Sequence, residues 1–393
     1  MEEVSKKKRK TLLLVLAASV MLIAVGIAVI TASIKLRYDR MDKEAAAADP
    51  EVIEEYYYYN QLTYKEQILF KALKTAADGY ESKSEIIPYR YTEEEFNRAA
   101  KALSFDCPSL FYLDLNSLRL YCDGYKTYVK IGYFDTPTSI KHMKMEVEAV
   151  SAAAMAFTSN AENDFEKAVI LHDFLTRICV YAGKQSADTE IKSTSHTAYG
   201  ALIDNLAYCD GYAMAYKLLL NRCGIEAIIA EGATDVRPHL WNTVNIDGKY
   251  YHIDSTWNDA DVDYLSEVSF HGYFCLSDEK ITVTHEIFDT FEMPECTDGD
   301  DYYVKSDVVV SSPEDFEEAA FVQLKAAAEE KKSYIELNPL YTENEKDYEE
   351  SMLRAIDRVN ALYEKSVYSR SFRAFKASDA SNGVTVLLYL INQ

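Results

Sequence analysis

The sequence predicts one long apolar helix followed by an α+β region. Three observations support this prediction. Residues 11–34 contain no charged residue. Further along, segments with the helical spacing of apolar residues are interspersed with short segments in which apolar and polar residues alternate. Finally, a helix-like segment starts at Cys209 and is followed by a strand. Two further strands come next, and the dipeptide Asp247-Gly248 between them is a strong signal for a hairpin turn.

The apolar segment predicts a single-pass transmembrane helix. Residues 11–34 would form a helix of about 36 Å, which is enough for a hydrocarbon core of about 30 Å. The alternative is a cleaved signal peptide, but its apolar region usually has only about 7–15 residues. Five basic residues occupy positions 6–10. We therefore expect residues 1–10 to be a cytoplasmic basic tail and the C-terminal bulk to be extracytoplasmic, at the cell membrane.

The rest of the chain is acidic. Residues 1–40 contain eight of the 41 Lys and Arg residues and three of the 64 Asp and Glu residues, which leaves a formal charge of −28 from position 41 onward. Such a surface repels nucleic acid and anionic lipid. We expect a solvated ectodomain with no nucleic-acid partner, held at the membrane only through residues 11–34.

The seven cysteines are an odd number, so at least one thiol would remain if the others formed disulfides. Cys107 and Cys122 lie close enough in sequence to bridge neighbouring strands. Spacing alone does not fix this pairing.

Composition and periodicity predict the domain organisation. Residues 35–60 are rich in Ala and Glu and are expected to be a linker. An N-terminal α+β lead-in region at 61–160 and a core at 161–295 follow. Residues 305–393 predict a small accessory βαββ-like α/β domain, which contains no His or Cys and is expected to carry no chemistry. Individual helices are predicted at 64–79, 92–104, 143–158, 163–178, 313–331 and 345–364.

Cys209 is predicted to start a helix whose C-terminal signal is Gly224. At a helix N-terminus the dipole and the unpaired N–H groups favour a thiolate, and the same N–H groups can receive an oxyanion. The alternative is a small buried residue at a helix start.

The downstream hairpin supplies a partner for this thiol. Counted outward from the turn, Ile246 faces Lys249 and Trp241 faces Asp254. His239 and Asp254 then lie diagonally on one face, close enough for imidazole to meet carboxylate. The chain thus offers a nucleophile, a base and an acid that orients the base, as in a Cys-His-Asp catalytic triad. His252 is the rival base. An isolated histidine would more often be a satisfied sheet residue.

Two blocks resemble the transglutaminase-like superfamily in its bacterial extracytoplasmic branch: "HTAYGALIDNLAYCDGYAMAYKLLLNRCGIEA" and "HLWNTVNIDGKYYHIDSTWND". The resemblance covers about residues 163–260. It implies a papain-like core and places the catalytic triad on Cys209, His239 and Asp254. This sequence departs from the family pattern at Leu240, where Ala is usual, and at Asp210, where Gln or Glu is common.

Four further residues are candidates for the walls of the site. Trp241 and Trp257 are the only tryptophans and are expected to pack around it. Tyr199 or Asn205 is predicted to supply a second oxyanion donor. The motifs CxxC and HExxH and a glycine-rich phosphate loop are absent from the sequence, so we expect no cofactor and no zinc. The acidic segment 259–263 lacks the glycine and the terminal acidic residue of a calcium loop.

The sequence therefore predicts a membrane-anchored cysteine acyl-transfer enzyme. It would act through a thioester on peptide or protein substrates, including those of the cell surface or cell wall, with water or an amine as acceptor. Water would make it a thiol hydrolase (protease or amidase), an amine would make it an acyltransferase, and hydrolysis is preferred. The alternatives are a catalytically idle peptide-binding or scaffold module of the same fold and a surface adhesin.

Overall fold

The computed structural model describes residues 2–393, except 124–125, 185–189, 236, 260–267, 342–343, 377–383 and 391–393. The chain divides into two compact units. One contains Met1–Asp106 and Leu113–Tyr133, and the other contains Cys107–Tyr112 and Phe134–Gln393. Helices and antiparallel sheets occur together, which confirms the α+β prediction.

The first unit contains the apolar segment, two helices and a hairpin. Its elements are α1 (Glu2–Ala46), α2 (Tyr64–Asp78), α3 (Glu93–Asp106), β1 (Leu113–Asp123) and β2 (Lys126–Tyr133). A capping box between Thr63 and Glu66 starts α2, and α2 and α3 match the predicted helices. Within α1, the stretch Lys6–Ala46 is long and apolar enough to cross a membrane.

The segment predicted as a linker differs in the structure. Helix α1 continues to Ala46, with Tyr38 buried near its end. Tyr58 and Tyr59 are also buried, and their backbone N–H groups donate to the carboxylate of Asp106 at 3.1 and 2.7 Å. The run of tyrosines therefore contributes to the core of the first unit. The surrounding Ala and Glu residues gave the segment the composition of a spacer and obscured this role.

The central part of the second unit carries the predicted helix and hairpin. Its four-stranded antiparallel sheet has the order β7-β6-β5-β8. A helix, α6, packs against two of these strands, and Asn242 donates its amide to the carbonyl of Ala213 at 3.0 Å across that contact. The elements are α4 (Pro137–Phe157), α5 (Asp164–Ile178), β3 (Val180–Tyr181), a π-helix (Gly200–Asp204), β4 (Leu206–Ala207), α6 (Cys209–Arg222), β5 (Ala227–Thr234), β6 (Arg237–Ile246), β7 (Lys249–Ile253), α7 (Asp278–Ile281) and β8 (His285–Ile287).

The C-terminal part of this unit forms a second sheet, of order β11-β12-β10-β9, with two long helices. Buried residues such as Phe316, Leu337 and Ile356 hold the helices to the strands. The arrangement agrees with the predicted α/β segment. Its elements are α8 (Tyr302–Lys305), β9 (Val309–Val310), α9 (Pro313–Glu330), β10 (Tyr334–Pro339), α10 (Glu349–Asn360), β11 (Tyr368–Lys376) and β12 (Val384–Leu390).

The disulfide suggested by spacing is not formed. Cys107 is buried and Cys122 is exposed, and both are thiols in the structure.

Candidate active site

The hairpin has the register that the turn predicts. Asp247 and Gly248 have φ values of 52° and 83°, as a type I′ turn requires. Ile246 pairs with Lys249, and Thr243 pairs with His252. Side chains at alternate positions therefore share the expected face of β6 and β7.

This register brings His239 to Asp254. His239 Nε2 lies 2.6 Å from Asp254 Oδ2, and both side chains are buried. The backbone N–H groups of Thr256 and Trp257 donate to the other oxygen, Oδ1, at 2.9 and 3.1 Å. The carboxylate is thus held on both sides, and its orientation is fixed.

Burial and charge oppose each other in this pair. Burial alone would lower the pKa of His239, but the Asp254 carboxylate and the Cys209 sulfur raise it to about 10. Burial alone would raise the pKa of Asp254, but the charge and N–H groups of its histidine partners hold it well below its usual range. An imidazolium and a carboxylate are therefore the stable forms over a wide pH range.

Cys209 is the first residue of α6, as predicted, and is half-buried. Tyr208, the residue before it, offers no side-chain cap to the helix, so its side chain takes none of the first N–H groups. The Cys209 side chain lies near enough to the His239 imidazole to help raise its pKa. Because Nε2 faces Asp254, the nitrogen left for the sulfur is Nδ1.

Gly211 lets the start of α6 approach the preceding loop closely. A Cβ at this position would lie 2.7 Å from the carbonyl oxygen of Ser195. The same oxygen accepts the backbone N–H of Tyr208 at 2.9 Å. The residues on either side of Cys209 are therefore fixed to one loop segment.

The rival base, His252, faces other partners. Trp241 Nε1 donates to its Nδ1 at 3.0 Å, and its Nε2 lies 2.9 Å from Asp278 Oδ1. His252 is almost fully buried. With both ring nitrogens engaged, it is not placed to exchange a proton with Cys209.

The two tryptophans lie beside His239. The Trp241 ring is buried and stacks on the imidazole with a centroid distance of 5.9 Å. Trp257 is 38% exposed, and its ring centroid lies 6.3 Å from that of His239. One tryptophan therefore packs behind the histidine and the other is open to solvent.

The candidate oxyanion donors have different surroundings. The Tyr199 hydroxyl donates to Glu146 Oε2 at 2.7 Å, which removes that hydroxyl from the predicted role. Asn205 ends the π-helix in a left-handed conformation, and its carbonyl accepts the N–H of Val180 at 3.0 Å. A role for the Asn205 amide stays a prediction.

Sequence reasoning missed His196. Its Nδ1 lies 2.7 Å from Asp210 Oδ2, and its ring stacks on Tyr208 at 4.6 Å. The hydrogen bond to Asp210 raises the pKa of His196 above its usual value. The carboxylate next to Cys209 therefore has a partner that is protonated more readily than an ordinary histidine. The sequence signal that could have identified His196 is its position in the same sequence block as Cys209.

Sequence reasoning also missed His285, the first residue of β8. Its Nε2 lies 3.0 Å from Asp254 Oδ2, the oxygen that His239 also contacts. No short-range pattern signals this contact, because 30 residues separate the two side chains.

Three groups of described residues have donor atoms within 4.8 Å of one another and are candidates for a metal ion: His172, Asp173 and His271; His239, Asp254 and His285; and His252, Asp278 and Cys296. A metal ion needs a histidine nitrogen without a proton, and in these groups the hydrogen bonds place protons on the nitrogens that face the other ligands. Trp241 donates to Nδ1 of His252, so Nε2 carries the proton that is donated to Asp278.

The same reasoning applies to His172. Asn258 Oδ1 accepts the backbone N–H of Tyr273 at 2.8 Å, so its amide nitrogen faces His172 Nε2 at 3.1 Å. The proton of His172 is then on Nδ1, which lies 3.1 Å from Asp173. These tautomers fit a hydrogen-bonded structure, and we assign no metal.

Of the acidic segment 259–263, only Asp259 lies among the described residues, and it accepts the hydroxyl of Tyr212 at 2.6 Å.

The family comparison decides the identity of the central part. A model described as the transglutaminase-like superfamily matches residues 151–255, a range that contains Cys209, His239 and Asp254. Residues 151–255 form a transglutaminase-like domain. The match confirms the resemblance expected from the two sequence blocks. It ends one residue after Asp254, so His285 lies outside the matched part of the transglutaminase-like domain.

Solved structures similar to this chain include a TGase (13% identity, 37% of this chain and 45% of that chain covered, TM-score 0.27). Two others are a proposed cysteine protease from Cytophaga hutchinsonii (12%, 35% and 61%, TM-score 0.24) and a proposed protease from Parabacteroides distasonis (11%, 36% and 35%, TM-score 0.21). This chain spans less than two thirds of each of them. No curated protein matches the chain. At these values the similarity carries no information about activity.

The His239–Asp254 pair predicts a pH-dependent stability. The folded pKa of His239, about 10, exceeds the unfolded value of 6.5, so its contribution is complete below pH 6.5 and is lost as the pH rises toward 10. Asp254, whose pKa is lowered from 3.8, contributes fully above pH 3.8 and loses its contribution as the pH falls. We expect His239→Gln to reduce the free energy of unfolding by about 2 kcal/mol near pH 5–6 and by less near pH 10.

Urea unfolding of the full chain in detergent over this pH range measures the difference. His142→Gln, at an exposed position on α4, is the control. A His239→Gln difference that does not change with pH would contradict the prediction.

The His196–Asp210 pair predicts a thermodynamic cycle at Cys209. His196→Ala leaves the Asp210 carboxylate without its cation beside the thiol. We expect the iodoacetamide alkylation rate of Cys209 at pH 6 to fall about two- to threefold, the size expected for an exposed ion pair. In the double variant with Asp210→Asn, the rate should return to the wild-type value.

Lys192→Ala, which removes the ion pair with Asp204 on the same loop segment, is the matched control and should leave the rate unchanged. A double variant as slow as His196→Ala would show that the charge of Asp210 is not the cause.

Proposed function

We propose that this chain is a cysteine acyl-transfer enzyme that attacks amide bonds of peptides or proteins and forms a thioester on Cys209. The proposal depends on one observation. The start of α6 and the start of β6 bring the Cys209 thiol near an imidazole whose Nε2 lies 2.6 Å from a buried carboxylate.

The geometry supports a thiolate–imidazolium pair before substrate binds. The raised pKa of His239 keeps the ring protonated at neutral pH, and its charge stabilises the sulfur anion. The Cys209 thiolate would attack the amide carbonyl. The N–H groups at the start of α6, other than that of Gly211, which donates to Asp210 Oδ1 at 2.9 Å, would receive the developing oxyanion. His239 would then give its proton to the leaving amine, while Asp254 holds the ring in the required orientation.

The acceptor decides the net reaction. Attack by water on the thioester would give a protease or amidase, and attack by an amine would give a transglutaminase. We favour hydrolysis because water is always present. The half-exposed Trp257 beside His239 would form part of the wall against which a substrate lies.

We further propose that α1 anchors the enzyme in the cell membrane. The apolar side chains of residues 11–34 are exposed along the helix, which is the arrangement that lipid would cover. The five basic residues at 6–10 favour a cytoplasmic N-terminus and an extracytoplasmic bulk. Substrates at the cell surface or in the cell wall would then be accessible.

The reactivity of Cys209 tests the catalytic proposal. We expect the thiol to react with iodoacetamide already at pH 6, because the positive charge of the neighbouring imidazolium stabilises the thiolate that attacks the reagent. His239→Ala should slow this reaction at least about tenfold. Mass spectrometry of the labelled peptides against pH measures both rates in the full chain.

Cys296 is buried and has a raised pKa, so it is an internal control that should stay unlabelled at pH 6. Proteolytic or amine-incorporating activity should disappear in Cys209→Ala. If Cys209 is inert or titrates as an ordinary thiol, the catalytic proposal fails and a peptide-binding module replaces it.

Accessibility in intact cells tests the topology. A membrane-impermeant maleimide should label Cys122, which is exposed on β1, without permeabilisation. In a second variant with Cys122→Ser and Ser5→Cys, the new thiol in the basic tail should react only after permeabilisation. The opposite pattern would place the bulk of the chain in the cytoplasm.

A further inference from the structure

We propose that His285, outside the matched transglutaminase-like domain, is a fourth member of the site that tunes the proton affinity of His239 through the carboxylate they share. This inference rests on the proposed function for its catalytic meaning. Its structural basis, the hydrogen bonds around Asp254, is independent of any activity.

Both histidines donate to one oxygen. Asp254 Oδ2 lies 2.6 Å from His239 Nε2 and 3.0 Å from His285 Nε2. Asp254 is fully buried and ionised, so the oxygen is an acceptor for both N–H groups. The backbone N–H groups of Thr256 and Trp257 fill the other oxygen. Four donors therefore share one negative charge.

The sheet places His285 at this oxygen. Strand β8 pairs with the end of β5, where Thr234 is opposite His285. The approach is close at Gly232, where a Cβ would lie 1.8 Å from the carbonyl oxygen of Glu286 and 2.8 Å from the Trp241 ring. A side chain at 232 would push β8 away. The glycine thus allows a strand beyond the matched domain to reach the catalytic carboxylate.

Aromatic rings and one hydroxyl fix the His285 ring. Its centroid lies 5.0 Å from Trp241, 4.9 Å from Trp257 and 5.6 Å from Tyr273. Thr284 Oγ1 lies 2.8 Å from its Nδ1. The titratable groups that face the ring are His239 from β6, Asp254 after β7, and Tyr273 from the following loop. Nε2–H is thus directed at Asp254.

The shared oxygen couples the two rings. A hydrogen bond to a carboxylate stabilises its charged form and weakens its attraction for other protons. When His285 donates, less negative charge is available to hold the proton on His239. This matters for the proposed reaction, because an imidazolium held too tightly would be a poor acid toward the leaving amine. His285 acts on His239 through the carboxylate of Asp254, so it is a positioning residue.

Removal of the His285 donor should therefore strengthen the His239–Asp254 bond. The carboxylate stays in place, because the two backbone N–H groups still hold Oδ1. In His285→Phe, a ring of similar size without an N–H, we expect the titration midpoint of His239 to rise by about half a pH unit or more above the wild-type value.

The experiment is an NMR titration of the full chain in detergent with ¹³C-labelled histidine. The chain has seven histidines, so single substitutions can assign each ring signal. His285→Gln, which keeps an amide donor, should return the midpoint toward the wild-type value. His142→Phe, at an exposed position, is the matched control and should leave it unchanged. His285→Asn, too short to reach Oδ2, replaces His285→Phe if that variant does not fold.

A purely structural role predicts the opposite sign. Loosening of the site would expose His239 and move its midpoint down toward 6.5. A midpoint in a folded donor-removing variant that is unchanged or lower would overturn the proposal. Failure of the proposed function would appear separately, as an unreactive Cys209 in the wild-type chain, and would leave the titration result readable.

Discussion

The buried carboxylate of Asp254 is the group on which the site depends. An ion in the interior costs several kcal/mol unless hydrogen bonds and opposite charge compensate it. Here the donors come from β6, from β8 and from the turn that follows β7. Compensation of one charge therefore fixes the relative positions of three segments. It also explains why His239 presents its remaining nitrogen to Cys209 and not to the sheet.

The parts of the site that the sequence predicted follow local rules. A two-residue turn at Asp247-Gly248 determines the hairpin register, and the register determines that His239 meets Asp254. The helix that starts at Cys209 similarly follows from periodicity and from the C-terminal signal at Gly224. Each of these features needs only a short window of sequence. The α+β class and the helices and strands of the C-terminal segment were predictable for the same reason.

The missed features depend on long-range pairing. His285 reaches the site because β8 adds to β5, some fifty residues earlier in the chain, and no periodicity in either strand specifies that neighbour. His196 depends on a loop that crosses the start of α6. The composition around Tyr58 and Tyr59 predicts a linker, whereas the burial of these tyrosines depends on Asp106, more than forty residues away. In each case the deciding partner was outside the window that pattern analysis uses.

Glu336 on β10 gives the C-terminal segment a significance that its composition does not suggest. Its carboxylate lies 2.6 Å from Nδ1 of His271, whose Nε2 lies 2.8 Å from Asp173 on α5. Burial alone would lower the pKa of His271, but the two carboxylates raise it to about 10, so a buried cation joins the segments. If the C-terminal segment were exchanged for an unrelated one, the His271 cation would lose the carboxylate of Glu336 and keep only that of Asp173. Loss of Glu336 alone would leave the buried His271 cation with one carboxylate partner, Asp173, instead of two.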